Sequence, residues 1–328
     1  MKIKKILSIV LAGILCVSAM AGCAEKTDKK KIGVIQIVQH PSLNTIRDSF
    51  TAQMKELGYV DGENCEIEYK DAQGEPTTAA SIVQKFKGDK KDVIVAIATP
   101  TAQAAATVSD EIPVVFSAVT DPIAAGLVDS LESPGKNITG TSDALQIDKI
   151  LDFALKLTPN IKTLGYIYNS GEANSVSCLE KVKAYTDKNG IKLVETAVTN
   201  SSEVQQASQV LVTKVDAVFT PNDNTIATSM NALADAAIKA KIPVYVGADS
   251  MVKDGGFATL GIDYNDLGKE TANMTAQILK GEKKPSEIPV KVFDEELNMY
   301  INKKTAAAIG ITIPDDIAGD KKTVFMGE

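Results

Sequence analysis

This 328-residue chain contains no tryptophan, one histidine (His40) and one arginine (Arg47). A single imidazole argues against a zinc-hydrolase ligand set and against histidine-based nucleophilic triads. A single guanidinium leaves no arginine-lined phosphate site. Lys and Arg number 35 against 42 Asp and Glu, a net charge of −7. Nucleic acid needs clustered basic side chains, so that partner is excluded. Cysteine is sparse as well. Cys16 belongs to the N-terminal leader and Cys23 directly follows it, while Cys65 and Cys178 stand far apart with no metal-ligand spacing. Two buried free thiols are expected rather than a disulfide. After the leader no apolar run is long enough to span a bilayer. No phosphate loop or paired-carboxylate motif occurs, and Gly255-Gly256 reads as a turn rather than a dinucleotide fingerprint. The expectation is a protein that is not an enzyme and carries no metal or cofactor.

What is present begins with the leader. Lys2, Lys4 and Lys5 precede an apolar stretch, Ile6 to Ala21, that ends in Met20-Ala21-Gly22-Cys23. A basic start, an apolar middle and small residues before a cut describe an export signal over 1–22. The stretch is short for a spanning helix, and a Lys-rich tether, 23–31, follows it. Cys23 directly after Ala-Gly resembles the lipobox of bacterial lipoproteins, although Met20 stands where leucine is usual. That resemblance implies a lipidated Cys23 and a protein held at the outer face of the cytoplasmic membrane by lipid alone.

Roughly 300 residues remain, room for two ordinary domains. Apolar runs alternate with segments of helical period. Lys31–Val38 reads as a buried strand; Leu43, Ile46, Phe50, Met54 and Leu57 then recur at helical spacing up to Gly58. Further strands are expected at Asn64–Lys70, Asp92–Ala98 and Pro113–Ala118. The alternation restarts after Gly135–Thr141, with strands Thr163–Tyr168, Lys192–Ala197, Ala217–Thr220, Pro243–Ala248 and Phe257–Gly261. A long helix is expected at Thr225–Ala240 and another at Leu267–Lys280. Short strands at Val290–Phe293 and Asn298–Ile301 and a helix near Thr305–Ile309 complete the chain. Such strands separated by helices form parallel sheets covered on both faces. Phe116, Tyr166, Tyr168, Phe219 and Tyr245 fall in or at the ends of strands and read as core; Phe116 and Tyr168 could also stack on a flat ligand.

Two segments echo each other. Ile97-Ala98-Thr99-Pro100 leads to a helix, then Ile112-Pro113-Val114, a strand and Asp121. Val218-Phe219-Thr220-Pro221 leads to a helix, then Ile242-Pro243-Val244, a strand and Asp249. The fold class is therefore α/β, with two Rossmann-like lobes of similar build. Ligands of open α/β sheets bind beyond the carboxyl ends of the strands. The candidate ligand-binding residues are accordingly His40, Ser42, Asn44, Thr99, Thr101, Ala102, Thr120 and Asp121, with Asn169, Asn222, Asp223 and Asp249 from the other lobe. Backbone N–H groups at Thr101 and Ala102 open a helix and suit a carboxylate, with the Thr101 hydroxyl as a further donor. Asp223 and Asp249 are candidates for an ammonium. The same residue types also serve as plain helix caps, and Asp121 before Pro122 also forms turns.

In order along the chain stand Ile32-Gly33-Val34-Ile35-Gln36-Ile37-Val38-Gln39-His40-Pro41, Thr120-Asp121-Pro122, Gly126-Leu127-Val128 and Asn137-Ile138-Thr139-Gly140. Pro221-Asn222-Asp223-Asn224-Thr225, Ile242-Pro243-Val244 and Leu279-Lys280-Gly281-Glu282 follow. With the leader, this series resembles the substrate-binding lipoproteins of ABC transporters related to tryptophan and tyrosine uptake, over about Lys31 to Asp316. The resemblance implies the type I periplasmic-binding architecture with three hinge crossovers, near Asn137–Thr141, Gly261–Asn265 and Pro285–Pro289. It implies one lobe of 32–139 plus 266–286 and another of 140–265 plus 287–328. It also implies an aromatic amino acid as ligand, an ABC permease with its ATPase as partner, and a monomer. Another small solute (a sugar, a nucleoside or a branched amino acid) or a surface sensor or adhesin role would use the same fold.

Overall fold

The structure, a computed structural model, describes residues 29–295 and 297–327. The expected signal segment and Cys23 lie outside the described residues.

Strand and helix alternate twice over. The first series is β1 (Lys30–Gln36), α1 (Pro41–Glu56), β2 (Cys65–Asp71), α2 (Pro76–Gly88), β3 (Val93–Ile97), α3 (Thr99–Ala106), β4 (Val114–Ser117) and β5 (Ile138–Ser142). The second is α4 (Ile147–Leu157), β6 (Thr163–Asn169), α5 (Ala173–Asn189), β7 (Lys192–Val198), α6 (Ser201–Leu211), β8 (Ala217–Thr220), α7 (Asn224–Thr228), α8 (Met230–Ala240), β9 (Val244–Val246), α9 (Asp249–Lys253) and β10 (Ala258–Gly261). α10 (Tyr264–Leu279) and β11 (Lys291–Val292) return to the first series. β12 (Asn298–Asn302), α11 (Lys303–Ile309), α12 (Asp315–Ala318) and β13 (Thr323–Met326) return to the second.

Two sheets result. The first runs β11-β5-β4-β3-β1-β2 and is parallel throughout. The second runs β13-β12-β10-β9-β8-β6-β7 and is parallel except where β12 meets β10. β3, β4, β8 and β9 are buried along their whole length, as strands covered on both faces must be. The expected α/β architecture of two lobes is the one found.

α1 buries Leu43, Ile46, Phe50 and Met54, the stripe at helical spacing. That stripe lies against α10, the helix that rejoins the first lobe. Gly268 makes the approach feasible: a Cβ there would sit 2.0 Å from Ser49 Oγ and 2.5 Å from the Ile46 carbonyl oxygen.

Several elements depart from the sequence reading. Residues 138–142, expected as a crossover, form β5 inside the first sheet, paired with β4. Residues 285–287 form a 3-10 turn beside β5, where Thr139 Oγ1 donates to the Ile288 carbonyl (2.7 Å). By strand membership the chain changes lobe after Ser142, between Gly261 and Tyr264, and between Val292 and Asn298. α4 fills a stretch that the sequence reading leaves without an element, although Ile147, Ile150, Leu151, Ala154 and Leu157 carry the helical period and are buried. The long helix expected at Thr225–Ala240 breaks at Ser229 (φ −113°, ψ 15°) into α7 and α8. β13 also goes beyond expectation, added in parallel to β12 at the edge of the second sheet.

Candidate ligand-binding site

The carboxyl ends of both parallel sheets face one cleft, the place where strand-end loops converge in such folds. The cleft holds a small cavity lined by both lobes. From the first lobe come His40 and Leu43 around the start of α1, Ala98 and Thr99 at the end of β3, Ala118 and Thr120 after β4, Asp143 after β5, and Tyr264 at the head of α10. The second lobe contributes Asn174, Asn222, Asn224, Ala227, Ala248 and Met251. Leu43, Met251 and the alanines make an apolar lining broken by a small set of polar groups, the usual make-up of a small-molecule site. Gly247 lets the end of β9 pass the loop bearing Asn222, since a Cβ there would stand 2.3 Å from Asn222 N.

Backbone strain marks the same place. Ala98 (φ 81°, ψ 158°) and Ala118 (φ 55°) both adopt left-handed φ values that favour glycine. Such residues cost about 1–3 kcal/mol each and cluster at ligand sites. Ala98 caps α3, whose first N–H groups have no intrahelical acceptor and present partial positive charge. Thr99, at the first turn of that helix, is buried and lines the cavity.

Opposite this donor-rich end is a buried anion. Asp143 Oδ1 accepts from Thr120 Oγ1 (3.0 Å), and its Oδ2 accepts from Asn222 Nδ2 (2.6 Å) and the Tyr264 hydroxyl (3.4 Å). Among the described residues no Lys, Arg or His forms an ion pair with it. Burial raises its pKa, and the hydrogen bonds only partly offset that rise. Burial also takes His40 down to about 4, so its imidazole is neutral at pH 7. Three lining residues carry buried polar atoms with no protein partner: His40 Nδ1, Asn174 Oδ1 and Asn222 Oδ1. Such groups are rare in folded proteins, and a convergence of three at one cavity is a binding signature.

Behind the cavity lies a carboxylate knot. Glu172 accepts from Asn224 N and Nδ2 (3.1 and 2.6 Å), Thr225 N and Oγ1 (3.0 and 3.1 Å) and Asn174 Nδ2 (3.2 Å). Burial first, and then the charge of Asp223, push Glu172 up to about 7.

Of the residues singled out in the sequence, His40, Thr99, Thr120 and Asn222 line the cavity. The others stand nearby in supporting positions. Ser42 Oγ crosses the cleft to Ser250 Oγ (2.6 Å) and approaches Asp249 Oδ1 (3.5 Å). Asn44 Oδ1 accepts from Gln36 Nε2 (2.9 Å). Thr101 does not offer its hydroxyl to the cleft, because Oγ1 folds back on the Ile97 and Ala98 carbonyls (2.6 and 2.9 Å). Ala102 is sealed in the core. Asn169 braces a loop through Thr225 Oγ1 and Gly171 N (both 2.8 Å). Asp223 is spent on the fold: it caps α7 through Ile226 N (2.9 Å) and accepts from Asn169 N and Ser175 Oγ (both 2.7 Å). Asp249 is half-buried at the first turn of α9, outside the cavity lining. Asp121 sits on the rim, accepting from Ser177 Oγ (2.6 Å) across the lobes. The carboxylate that lines this cavity is Asp143, whereas Asp223 and Asp249 stand outside the lining. Asp143, Tyr264, Asn174 and Asn224 escape the sequence reading. Asp143 directly follows Ile138–Ser142, and recognising that segment as a strand would have put the aspartate at a strand end.

Ser42–Ser250, Asp121–Ser177 and Asn222–Asp143 all bridge the two lobes, so the cleft is shut. Solved structures resemble this chain along nearly its whole length. A Streptococcus pneumoniae ABC domain in complex with L-Trp is 38% identical, with TM-score 0.87 over 90% of this chain and 100% of that one. A ligand-free, open substrate-binding protein with adhesive properties from Clostridium difficile is 40% identical, with TM-score 0.69 over 90% of this chain and 99% of that one. A tyrosine-binding protein of Clostridioides difficile is 42% identical over 322 residues, 94% of this chain and 93% of the relative. The family model for ABC transporter substrate binding proteins matches residues 31–324. A closed two-lobed cleft of strand-end loops, matched along nearly its whole length, makes this chain a member of the ABC transporter substrate-binding protein family.

Proposed function

We propose that the protein captures a free aromatic amino acid in the interlobe cleft and delivers it, in the closed form, to the permease of an ABC importer. One observation carries the reading: Asp143, a buried carboxylate without a cationic partner, stands in the same cavity as the free N–H groups at the start of α3. An α-amino acid satisfies both at once, with ammonium on Asp143 and Asn222 Oδ1 and carboxylate on Thr99 and the first turn of α3. The apolar remainder, Leu43, Met251 and the alanines, receives an aromatic side chain. A neutral sugar would leave Asp143 uncompensated. The tyrosine-binding relative and the L-Trp complex support the same ligand class. The chemistry is binding without turnover, and a lipid on Cys23 would hold the protein at the outer face of the membrane.

The test is a thermal-shift panel of the twenty amino acids with nucleosides and sugars, followed by calorimetry. A ligand at 100 times its Kd adds about 2.7 kcal/mol of apparent stability. Tyrosine, tryptophan or phenylalanine should produce the largest shift. A shift confined to sugars or nucleosides would overturn the proposal.

A further inference from the structure

The carboxylate knot behind the cleft has a directional consequence that reaches the ligand. Asn224 spends its Nδ2–H on Glu172 Oε2 (2.6 Å), and Asn174 spends its own on the same oxygen (3.2 Å). An amide whose nitrogen is taken in this way must present its oxygen elsewhere. Asn174 Oδ1 is thereby left buried and unpartnered at the cavity. The Asn224 side chain lies beside the His40 ring. His40 Nδ1 is buried without a protein partner and can accept from a ligand when the ring proton sits on Nε2. A neutral imidazole with Nε2–H carries its lone pair on Nδ1. Asn174 Oδ1 is thus held at the lining by Glu172, and His40 Nδ1 stands unpartnered at the same cavity. Both belong to loops other than the one bearing Asp143.

We infer that His40 Nδ1 and Asn174 Oδ1, the latter oriented by Glu172, read a hydrogen-bond donor on the ligand's ring, a hydroxyl or an N–H, and so discriminate against a plain phenyl side chain. This rests on the amino-acid reading above and goes beyond it, since a cleft that took any aromatic side chain by apolar contact would need neither acceptor. The discrimination is of the strong kind. A pocket that leaves buried acceptors unpaired rejects the analogue lacking the donor far more firmly than a pocket that only loses contact area. Glu172 is a positioning residue: it touches Asn174 and Asn224, not the ligand.

Calorimetry on the full mature chain with two matched pairs tests this: tyrosine against phenylalanine, and tryptophan against β-(3-benzothienyl)alanine, whose sulfur replaces the indole N–H. At least one pair should differ by about 100-fold or more, and the pair that does so identifies the donor as phenol or indole. His40→Leu should bring that ratio within about tenfold, while the weaker member of the pair loses little affinity. A second readout is independent of folding yield. His40 is the chain's only histidine, so ¹⁵N-histidine NMR of tag-free protein reports one ring, and its tautomer should be Nε2–H. Glu172→Gln, which turns an acceptor into a partial donor, should lower the ratio. Ratios within tenfold for both pairs in the unmodified protein, an Nδ1–H tautomer, or a ratio unchanged by His40→Leu would each overturn the inference while leaving amino-acid binding intact. Failure of all four compounds to bind would instead sink the amino-acid reading, and this inference with it.

Discussion

Replacing Asp143 with asparagine separates binding from stability. The substitution keeps shape and removes one buried negative charge. A charge-assisted contact to an ammonium contributes about 1.5–3 kcal/mol, and stranding one member of a buried pair costs about 3–5 kcal/mol. A loss of about 2–4 kcal/mol in binding is therefore expected, roughly 30- to 1,000-fold in Kd at 1.4 kcal/mol per decade. The ligand-free protein should not suffer. Asp143 has no cationic partner to lose, and burial already raises its pKa, so its charged form opposes closure. The new amide can also be satisfied locally, because Asn222 Oδ1 has no partner and can accept from it once the Asn222 amide turns over. Calorimetry should show the weakened Kd, and unfolding without ligand should show an unchanged or higher midpoint. The reasoning fails if affinity stays within threefold. It also fails if the ligand-free Tm drops by more than about 4 °C, roughly 1 kcal/mol or more for a protein of this size.

Other expectations concern pH, packing and thiols. Glu172 is raised from 4.5 to about 7 by burial and by Asp223, so the folded state binds more protons than the unfolded one between those values. Its contribution to stability therefore falls as pH rises from about 4.5 to about 7. His40, lowered to about 4, acts in the opposite sense below its ordinary value of 6.5. The pH slope lost in Glu172→Gln, measured by urea unfolding against the unmodified protein, isolates the carboxylate; parallel slopes would refute the assignment. Gly268→Ala should cost 2 kcal/mol or more, about the scale of core overpacking, because the added Cβ meets the Ile46 carbonyl at 2.5 Å; a chemical melt within 0.5 kcal/mol, about the ordinary surface range, would contradict it. Cys65 and Cys178 are free and buried, and burial pushes the Cys178 thiol up to about 12. Both should resist a thiol reagent until the protein unfolds, and rapid labelling of either in native buffer would speak against the packing described.

The two-lobed architecture was legible because fully buried parallel strands write themselves as continuous apolar runs. Asp92–Ala98 and Pro113–Ala118 needed only length and flanking residues to be recognised, and β3 and β4 fall inside them. The hinge boundaries were not. Ile138–Ser142 has the composition of a loop, with Thr, Gly and Ser among its five residues, yet it is wholly buried between β4 and β11. Tertiary pairing overrode local propensity there. The same oversight hid Asp143. Loop composition also could not tell a ligand contact from a brace. Asp223 and Asp143 are both aspartates at strand ends. Asp223 spends its oxygens on two backbone amides and a serine, whereas Asp143 receives only side chains within the cavity. That distinction depends on where neighbouring loops run, which the linear sequence does not state.

Asp143 also accounts for how binding and closure are coupled. The polar contacts that bridge the cleft include Ser42 with Ser250, Asp121 with Ser177, and Asn222 with Thr120 and Asp143. Each exchanges a protein–water bond for a protein–protein one and is worth about 0.5–1.5 kcal/mol net. Closure also strips water from Asp143, since Asn222 arrives from the opposite lobe to cover it. The favourable contacts and the desolvated charge are thus of opposite sign. An ammonium bound to Asp143 removes the opposing contribution and leaves the favourable ones, so ligand shifts the population toward the closed form through one carboxylate. The Asp143→Asn variant, lacking the charge, should then be more compact without ligand than the unmodified protein. Small-angle scattering of the two ligand-free forms measures this directly, and equal radii of gyration would show that closure is governed by something other than Asp143.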